Sequence, residues 1–147
     1  MFLSCVCDAE CNSRIFQQEI DTPGHTDAIA TSHPEHIACN SASPWSQFAP
    51  EPPSGQLRLA SASTTNFTAS LLNAIAKTLP SKMFSTGGDE VNTNCYMADG
   101  PTLADLRNSG RTLEQALDAF TQATHGVLLE QGKTPVVWEG KRTKFEC

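Results

Sequence analysis

The chain holds 147 residues, with 10 lysines and arginines against 16 aspartates and glutamates, for a formal net charge of −6. That balance excludes a basic nucleic-acid footprint, and no apolar run reaches the ~18 residues that a membrane helix needs. Nine glycines and nine prolines are ordinary usage, and 39% hydrophobic residues suffice for a modest core, so the length allows one domain or a piece of a larger one.

Residues 1–14 carry Cys5, Cys7 and Cys11, in a spacing that matches no common zinc pattern. The apolar start has no basic residue before it and is cut by Asp8 and Glu10, unlike a signal peptide. A first strand is predicted over 15–20, stopped by Asp21, Thr22, Pro23 and Gly24. A long connection over 21–65 follows. It holds His33 and His36, which Pro34 keeps from helical presentation and which therefore read as solvated loop histidines rather than a metal pair. Trp45, after Pro44, either covers a site or packs this loop down.

Phe67, Leu71, Ile75 and Leu79 recur every four residues, with Leu72 alongside, and predict a helix over 66–79. Thr64 or Thr65 can cap it, and Pro80 stops it. A second strand over 82–84 runs into Ser85, Thr86, Gly87 and Gly88, and a second long connection spans 87–111. A second helix over 112–131 places Leu113, Ala116, Leu117, Phe120, Thr124, Val127 and Leu128 on one face. Thr112 and Gln115 have capping-box spacing and Gly132 is a natural stop, while His125 reads as a surface residue. A third strand over 135–138 precedes a basic tail over 141–147.

Strand, helix, strand, helix, strand implies a parallel sheet with right-handed crossovers. The connections are long after strands and short after helices, which is the asymmetry of a β/α barrel whose active site lies at the strands' C-terminal ends. The expected fold class is α/β, a partial (β/α)8 TIM barrel of about three β/α units. A complete barrel takes eight strands and about 250 residues, and three strands cannot close. The expected divisions are an unmatched segment over 1–14, a partial-barrel catalytic domain over 15–140 and the tail over 141–147.

The densest chemical signal is Thr86-Gly87-Gly88-Asp89-Glu90-Val91-Asn92. Side-chain-free backbone admits a ligand closely, and two adjacent carboxylates at one mouth tend to divide into an ionised group and a usable acid. Adjacency argues against a conventional glycosidase pair, which flanks a bond from two sides about 5–9 Å apart. The pair suits an acid with a partner that orients something other than water; otherwise it is an ordinary acidic loop. Asp21 and His25 share a rim after the first strand, where His25 can hydrogen-bond an acid or simply face solvent. Trp138 offers a flat apolar wall to a sugar or methyl group, or is a core aromatic. Cys39 and Cys95, the cysteines in the body of the chain, read as one disulfide of an oxidising compartment, and the Asn66-Phe67-Thr68 sequon agrees with secretion.

Glu19-Ile20-Asp21-Thr22-Pro23-Gly24-His25-Thr26, Thr86-Gly87-Gly88-Asp89-Glu90-Val91-Asn92 and Val136-Val137-Trp138-Glu139 together resemble the family 20 glycoside hydrolases, the β-N-acetylhexosaminidases, most closely the secreted fungal branch. The resemblance implies substrate-assisted retaining hydrolysis of terminal β-linked N-acetylglucosamine or N-acetylgalactosamine from oligosaccharides such as chitobiose. It implies Glu90 as general acid and then base, Asp89 as holder of the acetamido N–H, His25 as tuner of the acid, Asp21 as its support and Trp138 as the pocket wall. It also implies a Cys39–Cys95 disulfide, an extracellular setting, homodimeric full-length relatives, and neither metal nor cofactor. Ser85 stands where the family often has histidine, and Gly140 where it usually has another acid. The strands carrying the family's arginine, tyrosine and further acids are not in this sequence, so the isolated chain is expected to have little or no activity. The competing expectations are a non-catalytic sugar-binding fragment and a metal-dependent barrel hydrolase using Asp21, His25, Asp89 and Glu90.

Overall fold

The computed structural model describes residues 2–6 and 15–138. The tail over 141–147 and the segment with Cys7 and Cys11 lie outside the described residues. The main sheet has the order β1 (Phe2–Val6), β2 (Ile15–Glu19), β5 (Met83–Ser85), β6 (Thr134–Val136). The strands β2, β5 and β6 are parallel neighbours, with Gln18 opposite Phe84 and Phe84 opposite Pro135. These are the three expected strands in the expected α/β arrangement. The sheet is mixed rather than purely parallel, because β1 pairs antiparallel with β2. Among the described residues it does not close into a barrel.

The crossovers are α1 (Ala62–Thr78) and α4 (Leu113–Leu129). The helix α1 begins four residues before the predicted start, because Ser61 rather than Thr64 or Thr65 accepts the cap bond from the Thr64 N–H. Its deepest line is Thr64, Thr68, Leu72 and Ala76, one position beyond the apolar line that its sequence displays. Each buried threonine avoids an unpaired hydroxyl: Thr68 Oγ1 donates to the Thr64 carbonyl, and Thr64 Oγ1 pairs with His36. The helix α4 follows its prediction, with the Thr112–Gln115 capping box formed and Ala116, Phe120, Thr124 and Leu128 buried. Leu72 and Ala76 of α1, Phe84 of β5 and Leu128 of α4 make the core between sheet and helices.

The two long connections are structured, contrary to their reading as loops. The first contains 3₁₀ turns at Asp27–Thr31, Pro34–His36 and Trp45–Gln47, and a small antiparallel pair, β3 (Ile37–Ala38) with β4 (Gln56–Leu57). The second contains α2 (Thr93–Ala98) and α3 (Gly100–Ser109), capped by Asn92 and Asp99. Ile37, Leu57, Leu59, Tyr96, Leu106 and Phe120 form a second core beneath them, and the buried Tyr96 hydroxyl donates to the Leu57 carbonyl at 2.8 Å. Two further expectations are corrected. His36 is buried, because its ring packs on Phe67. His125 is half-buried beside β5, where Nε2 lies 3.0 Å from Thr86 Oγ1 and burial lowers its pKa.

Candidate active site at the strand ends

Parallel strands end on the same side, and backbone bonds continue past them. Ile20 N–H donates to Ser85 O at 3.0 Å, Thr22 N–H to Thr86 O at 2.8 Å, Thr86 N–H to Val136 O at 2.9 Å and Trp138 N–H to Gly87 O at 2.9 Å. This lacing brings the segments after β2, β5 and β6 to one rim. Asp21, His25, Asp89, Glu90 and Trp138 all stand there, from three separate stretches of chain.

Glu90 and His25 are in direct contact: Nε2 of His25 meets Oε2 of Glu90, and the same nitrogen lies 3.9 Å from Asp21 Oδ2. Two backbone features permit this approach. His25 has φ of +48°, a left-handed conformation uncommon for a residue with a side chain. Gly24 faces the Glu90 backbone, where a Cβ would come within 3.0 Å of the Glu90 carbonyl oxygen. Strained backbone of this kind clusters where function constrains geometry. Gly87 is required for a second reason, since at φ +70° a Cβ there would run into the Asp21 carboxylate.

The half-buried Asp21 is the perturbed carboxylate of the rim. Desolvation raises its pKa from 3.8 to about 6, against the opposing pull of His25 and the Gly88 N–H, and Oδ1 has no hydrogen-bond partner among the described residues. The fold therefore holds the Asp21 proton more tightly than the unfolded chain does. Its contribution to stability is intact below the ordinary value of 3.8 and is lost as pH rises through about 6. Asp21→Asn is accordingly expected to gain in Tm relative to the parent as pH rises from about 4 to about 7, because the amide never ionises. Thermal melts at the two pH values check this, and a pH-independent difference would contradict it.

Asp89 is exposed beside Glu90. Trp138 lies two residues beyond β6 and is 57% exposed, so it is not a core aromatic here. Its indole N–H donates to Glu19 Oε2 at 2.7 Å, and the same oxygen accepts from Ser85 Oγ at 2.6 Å. Glu19 thus pins the ends of three strands together, a role that the sequence reading did not assign. The signal was present, because Glu19 is two residues before Asp21 and strand alternation puts both on one face. Gln56 is a second unassigned residue. Its buried amide donates to Asn92 O at 2.7 Å and accepts from Asn92 N–H at 3.1 Å, clamping the chain just past Glu90. A cleft lined by Gly24, His25, Phe48, Pro53, Gln56 and Glu90 opens beside the His25–Glu90 contact.

Cys39 and Cys95 form a disulfide, as the resemblance implies. It joins the turn after β3 to α2, whose Cys95 N–H is also capped by Asn92 Oδ1 at 3.0 Å. The two long connections that frame the rim are therefore covalently tied. Asn66 is exposed on the second turn of α1, while Trp45 is exposed in the first connection.

Residues 14–146 match the family described as glycosyl hydrolase family 20, catalytic domain. A β-hexosaminidase of the fungus Arthroderma benhamiae is 37% identical over 123 residues, which are 82% of this chain and 20% of that protein. The chitobiase of Flavobacterium johnsoniae superposes with a TM-score of 0.67 at 25% identity, over 87% of this chain and 19% of the chitobiase. A Vibrio harveyi exo-β-N-acetylglucosaminidase, solved with N-acetylglucosamine, has the same fold over 84% of this chain and 19% of its own, with a TM-score of 0.64 at 23% identity. The chain thus spans about a fifth of the length of these relatives. A family match that takes in the three parallel strands β2, β5 and β6 and their laced ends leads to one assignment: this chain belongs to the catalytic-domain family of the family 20 glycosyl hydrolases.

Proposed function

We propose that this chain supplies the acid-bearing sector of a (β/α)8 barrel that hydrolyses terminal β-linked N-acetylglucosamine or N-acetylgalactosamine with retention. The observation that carries the proposal is the His25–Glu90 contact at the strand ends, with Asp89 exposed beside it. Glu90 gives its proton to the glycosidic oxygen as the bond to the anomeric carbon breaks. The substrate's own 2-acetamido oxygen attacks that carbon and forms an oxazolinium ion, so no enzyme carboxylate needs to reach it. Asp89 accepts the acetamido N–H and offsets the positive charge that develops there. Glu90, now ionised, removes a proton from water as the water opens the oxazolinium ring.

His25 orients Glu90 through both steps, and Asp21 supports His25 from behind. Trp138, held by Glu19, walls the side on which the acetamido methyl would lie. The Vibrio relative's complex with N-acetylglucosamine supports this substrate class. Exposed oligosaccharide ends such as chitobiose are the expected substrates.

The test is a complete barrel in which residues 14–146 replace the aligned segment of the Arthroderma benhamiae relative. It is expected to release nitrophenol from nitrophenyl N-acetyl-β-glucosaminide and not from the corresponding β-glucoside, which lacks the amide nucleophile. Equal cleavage of the two would remove the substrate-assisted mechanism. Binding of N-acetylglucosamine without turnover would favour a sugar-binding role instead.

A further inference from the structure

Outside the rim, three donor atoms converge at the 3₁₀ turn Pro34–His36. Side chains three residues apart eclipse in a 3₁₀ helix, so His33, just before the turn, and His36, its last residue, come to the same side. Pro34 does not prevent this, because it occupies the first helical position, where its missing N–H has no partner to lose. The two imidazole rings stack with centroids 5.9 Å apart, and both lie on Phe67 of α1, at 4.8 Å and 4.4 Å.

Glu35 Oε1 is 3.3 Å from His33 Nδ1 and 3.7 Å from His36 Nε2, and all three donor atoms lie within 4.8 Å of one another. The edge of a tetrahedral zinc site with ordinary Zn–N and Zn–O bonds is about 3.4 Å, so the two distances from Glu35 already suit it and the two histidine nitrogens must draw together. His36 is also oriented as a ligand. Its Nδ1 lies 3.0 Å from Thr64 Oγ1, and donation there leaves the lone pair on Nε2, toward Glu35. Two imidazole nitrogens from one stacked pair meet the same carboxylate oxygen, an arrangement that a shared ion would organise.

We propose that His33 Nδ1, Glu35 Oε1 and His36 Nε2 form a binding site for a divalent transition-metal ion, zinc being the best match, with a fourth position open to water. Two nitrogens and one oxygen suit zinc and its neighbours, whereas magnesium and calcium take oxygen donors. One carboxylate leaves the bound ion with a single net positive charge. The neighbouring cation Arg58 is already paired with Asp99, at 3.0 Å from Nε and 3.0 Å from Nη2. Arg58 also holds the turn, its Nη1 donating to Glu35 O at 2.8 Å and its backbone N–H to His36 O at 2.8 Å. An ion here ties the two ends of this held turn together just ahead of β3 and the Cys39–Cys95 bond. It takes no part in the proton transfers assigned to Glu90.

The probe is zinc chloride, titrated calorimetrically into the whole chain after every cysteine outside the Cys39–Cys95 bond has been alkylated without reduction. One zinc per chain is expected to bind, with no heat from magnesium. His33→Gln at a half-buried position and Glu35→Gln at an exposed one, both checked for unchanged circular dichroism, are each expected to weaken zinc at least tenfold. Thr64→Val, which removes the partner of His36 Nδ1, is expected to weaken it by about 10- to 100-fold. Cobalt substituted for zinc should give visible bands that His33→Gln and Glu35→Gln both abolish. Absence of stoichiometric zinc, or zinc binding that His33→Gln and Glu35→Gln leave unchanged, would overturn the proposal.

Discussion

Glu90→Gln, made in a complete barrel carrying this segment, is expected to lower kcat for a nitrophenyl N-acetyl-β-glucosaminide by about 10²- to 10⁴-fold. Glutamine keeps the shape of the side chain and can still pair with His25, so substrate binding should change little and the loss should fall on kcat. The amide cannot give up a proton to the leaving oxygen, nor take one from water. The two demands separate with the leaving group. A dinitrophenolate departs without protonation, so the variant should recover its first step on that substrate and remain slow in the second. Asp89→Asn should behave differently, weakening the grip on the acetamido N–H with the leaving-group dependence unchanged. A kcat within a few-fold of the parent for Glu90→Gln would remove Glu90 from the mechanism.

Loss of the Cys39–Cys95 bond is the largest expected effect on stability. The two residues are 56 apart in sequence, and cross-linking a loop of that length removes about 4 kcal/mol of chain entropy from the unfolded state. Replacing both with alanine leaves no unpaired hydroxyl at the fully buried Cys95. The pair Cys39→Ala and Cys95→Ala should therefore lose about 4 kcal/mol, against the 5–15 kcal/mol typical of folded domains. Urea unfolding measures it directly, as a midpoint about 2 M lower. An unchanged midpoint would mean that the second core under the long connections holds them without the covalent tie.

Most of the framework was readable from local pattern. The strand β5 and the helix α4 appear where short apolar runs, the Thr112–Gln115 box and a single amphipathic face place them. The helices α2 and α3 were missed because they are short and lack a wide apolar stripe. Their capping residues Asn92 and Asp99 and the left-handed Gly110 were the available signals. The shifted burial line of α1 was beyond sequence reasoning for another reason. Thr64 and Thr68 are polar, and only their hydrogen-bond partners make them core residues.

By itself the sequence determined which residues are the candidates for the chemistry, because turn chemistry and motif order are local properties. Asp21-Thr22-Pro23-Gly24-His25 and Gly87-Gly88-Asp89-Glu90 mark the rim without any coordinates. What the tertiary structure alone decided is who meets whom. His25 touches Glu90 across 65 positions of sequence, and Trp138 reaches Glu19 at a separation of 119. It also decided that Asp21, rather than being one more solvated acid, is desolvated enough to hold its proton to about pH 6. Desolvation and long-range contact depend on what the rest of the chain places around a residue, and no window along the sequence contains that information.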